Sequence, residues 1–163
     1  MMLIMTPFHP GVDYGQGLRG VMNWNETWFE RRFGGDRLGG RGITLFPKLL
    51  RPKSRGSVTL RSADPKDRPV IDTNYLDHPD DLDRIVEGVK FIKSLEDTDS
   101  FKRHGIAMMP PENFLCGNHE PYSAQYYSCY VYNYVQTVYH PVGTCAMGPE
   151  GHKVTQQHSK RNL

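Results

Sequence analysis

Between Pro79 and Leu95 the apolar residues Leu82, Ile85, Val86, Val89 and Ile92 recur three or four positions apart, which places them along one face of an α-helix. Pro79 suits the first helical position, where a missing N–H costs nothing, and Asp80 and Asp81 stand where the positive end of the helix dipole favours carboxylates. A helix with one apolar stripe draws most of its stability from packing rather than from propensity. The chain must therefore supply a facing layer, and the charged residues of this helix are expected on its solvated side.

RGITLFPKLL, from Arg41, is apolar and tolerates a strand, and PKSRG supplies a turn through Pro52 and Gly56. GSVTLRS then alternates, with Val58 and Leu60 predicted inward and Ser57, Thr59 and Arg61 outward, so the two stretches read as a hairpin. A short third strand is expected at Pro69–Thr73, after the turn residues ADPKDR. The basic residues Lys48, Arg51, Lys53 and Arg55 gather around the first turn and read as a solvated loop in preference to an anion site.

Residues 1–42 read as an irregular glycine-rich lead-in holding one short helix, Asn25–Phe33, capped by Asn25 and anchored by Trp28, Phe29 and Phe33. A literal GxGxxG, Gly15–Gly20, lies within it. A dinucleotide loop needs an aliphatic strand before those glycines, and HPGVDY stands there instead, so the motif reads as a flexible loop. GGDRLGGRG likewise lacks the Gly-Lys-Ser/Thr ending of a phosphate loop. Later, Ser123–Val135 is ambiguous. Its tyrosines and valines favour a strand by propensity, while Ser123, followed by Gln125 and Gln136, allows a capped helix.

With 163 residues, 16 of them glycine and 12 proline, the chain suits one globular domain rich in turns that buries about 70% of its unfolded surface. Its 20 basic and 18 acidic residues are well mixed, for a net charge of +2, and give no electrostatic ground for a nucleic-acid or anionic-membrane partner. MMLIMTPFHP lacks the basic flank and cleavage site of a signal peptide, and no run approaches the ~18 apolar residues of a membrane span. Cys116, Cys129 and Cys145 match neither a redox pair nor zinc knuckles. A Cys116–Cys129 disulfide in a secreted protein and three reduced thiols both fit the spacing. The seven histidines show no metal-ligand spacing, so no metal site is expected.

The most suggestive histidine sits in VYHPVGTCAMG, Val138–Gly148. Pro141 restricts His140 to an extended backbone, and Gly143 and Gly148 permit a close turn. An imidazole titrates near neutrality and serves as a proton acceptor when held in place. By local chemistry alone these residues read as a structural or exposed histidine in preference to a base, and no serine or cysteine nucleophile with a paired base accompanies it.

HPVGTCAMG resembles the catalytic-histidine segment of the glucose-methanol-choline (GMC) flavoprotein oxidoreductases, above all the insect members similar to glucose dehydrogenase. The long stretch LFPKLLRPKSRGSVTLRSADPKDRPVIDTNYLDHPDDLDRIVEGVKFI is similar to the opening of that family's C-terminal, substrate-binding domain. Together they span about residues 43–148 in the family's order. The resemblance implies an α+β fold, an antiparallel β-sheet with helices packed on one side and here incomplete, and it favours a helix for Ser123–Val135. It implies FAD as cofactor and a small-molecule alcohol as substrate. His140 would accept the hydroxyl proton while hydride leaves the carbinol carbon, with Val142 and Gly143 near the flavin ring. Thr144, Cys145 and Met147 would be structural support.

The same resemblance marks departures. The glycine-rich strand-turn-helix that holds the ADP half of FAD is not found, and residues 149–163 read as a divergent polar tail, in which neither His152 nor His158 matches a second catalytic residue. The expectation is a C-terminal domain fragment that binds FAD weakly and turns over little by itself. The alternative is a non-catalytic remnant that binds a ligand or protein, or self-associates, through the surface the FAD domain would cover.

Overall fold

The computed structural model describes residues 2–6, 16–33, 43–109, 111 and 114–143. They fall into two units, one made from Met1–Lys53 and His78–Tyr134, the other from Ser54–Asp77 and Val135–Leu163. The architecture is α+β.

In the first unit β1 (Met2–Thr6) runs antiparallel to β2 (Thr44–Lys48), with Met2 opposite Lys48 and Thr6 opposite Thr44. Two short helices follow β1: α1 (Gln16–Met22) and α2 (Glu26–Phe33). The lead-in is thus more ordered than expected, with a strand and a helix besides the one predicted. Gly17 and Gly20 of the GxGxxG sit inside α1 rather than in a loop, and a Cβ at Gly20 would meet nothing within 4 Å. The Asn25 cap is present: its Oδ1 accepts the Trp28 N–H at 3.3 Å. Phe29 is buried, and the rings of Trp24, Trp28, Phe29 and Phe33 pack at centroid distances of 5.1–6.1 Å.

The amphipathic helix forms as α3 (Pro79–Ser94), with Pro79 in its first turn. His78 caps it through Nδ1, which accepts the Asp80 N–H at 3.2 Å. Val86 and Ile92 are buried and Leu82, Ile85 and Val89 half-buried, and the helix packs against β2 and α5 (Ala124–Tyr134). A 3-10 turn at Leu95–Asp97 and α4 (Asp99–Arg103) continue the chain. Glu96 pairs with Lys93 and accepts the Met108 N–H.

One charged residue of α3 departs from its expected place. Asp81 is only 1% exposed, and its two carboxylate oxygens accept the Lys53 N–H at 2.9 and 3.0 Å. A buried carboxylate requires such donors, so Asp81 fastens the PKSRG turn to the start of the helix. The neighbouring Asp80 pairs with the Lys53 ammonium instead, whose hydrogen bond and then charge hold that carboxyl below its ordinary range. Lys53 therefore belongs to an ion pair as well as to a solvated loop.

The ambiguity at Ser123–Val135 resolves as helix. Ser123 Oγ accepts the Tyr126 N–H at 3.0 Å, the cap that outweighs the β-propensity of the tyrosines. At helical spacing Tyr126, Tyr130 and Tyr134 fall on one face and stack at 6.2 and 4.4 Å. Arg32 of α2 lies against them, its Nη2 donating to the Tyr130 hydroxyl at 3.4 Å. Cys116 and Cys129 are joined by a disulfide, Cα to Cα 5.9 Å, that ties α5 to the preceding loop.

In the second unit β3 (Ser57–Thr59) pairs antiparallel with β4 (Val70–Asp72), Val58 opposite Ile71. The third expected strand is therefore present, but the expected hairpin is not: β2 pairs with β1, and β3 with β4. Val58 and Leu60, predicted inward, are 50% and 87% exposed. The turn before β3 depends on Gly56. A Cβ there would overlap the Asp72 carbonyl oxygen and lie 2.8–2.9 Å from backbone atoms of Thr73.

Candidate active-site segment

The chain leaves α5 at Tyr134 and enters the second unit, where the predicted site residues follow in one short run. Tyr139 has a left-handed backbone, φ +61°, and its amide donates to Thr137 Oγ1 at 3.0 Å. Such a conformation costs a non-glycine residue about 1–3 kcal/mol and persists only where its surroundings hold it. The strained turn sits directly before His140.

His140, Pro141, Val142 and Gly143 are all exposed, and the Val142 side chain reaches 86% exposure. Gly143 has φ +108°, which L side chains rarely adopt, and a Cβ there would meet no atom within 4 Å. Its glycine is thus needed for backbone conformation, and it leaves a bare stretch of main chain beside His140. The structure places the three predicted site residues together on one exposed segment. Thr144, Cys145, Met147, Gly148, His152, His158 and the tail from residue 149 lie outside the described residues.

An imidazole exposed in this way accepts a proton efficiently only from a donor held within hydrogen-bond reach. The segment presents the exposed His140 imidazole and, at Gly143, a backbone without a side chain. Among the described residues no group of three or more His, Cys, Asp or Glu side chains is arranged to hold a metal ion, and no helix is long and apolar enough to cross a membrane. Sequence reasoning missed the buried Asp81 and left the Cys116–Cys129 disulfide open. Asp81 carried a weak signal in retrospect, standing in the first turn of a helix that begins with a proline. The disulfide carried none beyond two cysteines at a permissive spacing.

Over residues 52–160 the chain matches the family model of the GMC oxidoreductases. That span includes both the HPVGTCAMG segment and residues 149–160, which were set apart above as a divergent tail. The chain is 41% identical over 109 residues to a glucose dehydrogenase (FAD, quinone) of Drosophila pseudoobscura pseudoobscura, covering 67% of this chain and 17% of that protein. It is 36% identical over 111 residues to an alcohol dehydrogenase (acceptor) of Pseudomonas putida, covering 68% of this chain and 19% of that protein. A match to an oxygen-dependent choline dehydrogenase of Rhizobium etli is 35% identical over 97 residues, 59% of this chain and 16% of that one. The chain spans less than a fifth of the length of these relatives.

Proposed function

Because the chain belongs to the GMC oxidoreductase family, we propose that it forms part of the substrate-side domain of an FAD-dependent oxidoreductase acting on CH–OH donors. His140 is the general base. The observation that carries this reading is the exposed run His140-Pro141-Val142-Gly143 within the matched span, a base next to a backbone stripped of side chain.

That bare backbone is the feature by which the segment fits FAD: a flat ring can approach Gly143 where a Cβ would intrude, with Val142 presenting an apolar surface beside it. When bound, the flavin supplies the acceptor for the hydride that leaves the carbinol carbon. His140 takes the hydroxyl proton, which makes the alcohol a better hydride donor. The left-handed turn at Tyr139 and the ring of Pro141 restrict the backbone on either side of His140.

Residues 1–163 by themselves bind FAD weakly and turn over little, since the segment they share with the relatives named FAD- or acceptor-dependent is 17% and 19% of those proteins. A chimera tests the reading: residues 52–160 replace the matching segment of the Drosophila pseudoobscura glucose dehydrogenase, and sugar or alcohol oxidation is followed with an artificial electron acceptor. The isolated chain should be inactive with added FAD and the chimera active. A chimera that folds and retains FAD but oxidises nothing overturns the proposal.

A second reading is a module that binds a partner or a second copy without turnover. It is favoured by one observation, the exposure of Val58, Leu60 and Ile71 on the β3–β4 ladder. Light scattering of the isolated chain tests it, a monomer at all concentrations counting against it.

A further inference from the structure

The segment Asn25-Glu26-Thr27 has a second use besides capping α2. Asparagine followed two positions on by threonine, with no proline between, is the acceptor pattern for N-linked glycans. Of all the asparagines in the sequence, Asn25 alone has serine or threonine at that position. Asn25, Glu26 and Thr27 are all exposed. We propose that Asn25 carries an N-linked glycan.

The geometry makes the modification compatible with the fold. The helix cap uses Asn25 Oδ1, which accepts from the Trp28 N–H at 3.3 Å, and the backbone carbonyl, which accepts from the Phe29 N–H at 2.9 Å. Nδ2 takes no part in the cap. Glycan transfer joins Nδ2 to the anomeric carbon of an oligosaccharide carried on a polyprenyl pyrophosphate. The bond from that carbon to the pyrophosphate oxygen breaks, the lipid pyrophosphate leaves, and the amide nitrogen gives up one proton. No electrons change hands. The product is still an amide whose oxygen can accept the Trp28 N–H, so the cap survives.

An independent feature of the same unit points to the compartment where this transfer occurs. Cys116 and Cys129 are disulfide-linked, and disulfides form and persist in the oxidising secretory lumen rather than in the reducing cytosol. The inference does not depend on the oxidoreductase reading, since neither Asn25 nor the disulfide belongs to the His140 segment.

The test expresses the full chain behind a secretion signal in insect cells and recovers it from the lumenal fraction, so that neither export nor complete folding is required. Peptide N-glycosidase treatment in heavy-oxygen water, followed by peptide mass spectrometry, reads Asn25 as labelled aspartate wherever a glycan was attached. The wild type and Thr27→Ser should be labelled. Thr27→Ala, which keeps the cap, and Asn25→Asp, which keeps the cap oxygen but loses the nitrogen, should lose the glycan-dependent mobility shift entirely. Lumenal wild-type chain with Asn25 unmodified, or a shift that persists in Thr27→Ala, overturns the proposal.

Discussion

Replacing Cys116 and Cys129 together by alanine removes the disulfide cross-link between α5 and the loop before it. The two cysteines are 13 positions apart, and closing a loop of that size withholds about 3 kcal/mol of conformational entropy from the unfolded chain. For a chain of this size each kcal/mol moves the thermal midpoint by about 2–4 °C, so the double variant should melt about 6–12 °C lower. Cys116 is fully buried, and the packing lost with its sulfur adds to this in the same direction. The assay is thermal unfolding followed by far-UV circular dichroism, with and without a phosphine reductant. The reductant should bring the wild type down towards the variant and leave the variant where it was. A double variant that melts with the wild type, or one that the reductant destabilises as much as the wild type, would refute the view that this link supports α5.

Asp81→Ala should cost about 1.5–3 kcal/mol, because it withdraws a charged acceptor from the Lys53 N–H; urea unfolding measures this, and a loss under about 0.5 kcal/mol would show that the carboxylate is not needed there. Gly56→Ala should cost about 1–3 kcal/mol, since the new Cβ meets backbone atoms of Asp72 and Thr73 that have no flexible end to move aside; hydrogen exchange of the β3 and β4 amides should rise, and unchanged protection would contradict the close approach. Lys93, by hydrogen bond and charge, and the Met108 N–H hold the Glu96 carboxyl below its ordinary value. A depressed carboxyl contributes stability above the unfolded value of about 4.3 and loses it as pH falls through the lower folded value. Glu96→Gln should therefore flatten the acid limb of the stability profile, and an unchanged limb would count against the pair.

The parts of the fold that were legible in the sequence are those set by local spacing. The apolar repeat of Leu82 to Ile92 and Pro79 located α3, and Asn25 with its aromatic neighbours located α2. Strand pairing was misread because it is not local. Nothing between Ile43 and Leu60 reveals that the partner of β2 comes from Met2–Thr6, so two adjacent strand-like stretches were joined into a hairpin that the chain does not make. Helix and strand propensities conflicted over the tyrosines of α5, and a cap at Ser123 decided between them. The alternation that sent Val58 and Leu60 inward assumed a layer over the ladder, and both residues are exposed. At the site, the exposed imidazole of His140 carries no local mark of chemistry, and only the ordered similarity of the surrounding chain to a family distinguished it from a surface histidine.

The most direct test of His140 as the base is the rate at which alcohol or sugar bleaches the flavin in the chimera, measured in single turnover without an electron acceptor. His140→Ala should leave the FAD content unchanged and slow flavin reduction by about 10²–10⁴-fold, the usual contribution of a positioned general base. Reduction at the unaltered rate with the cofactor fully bound would contradict the assignment.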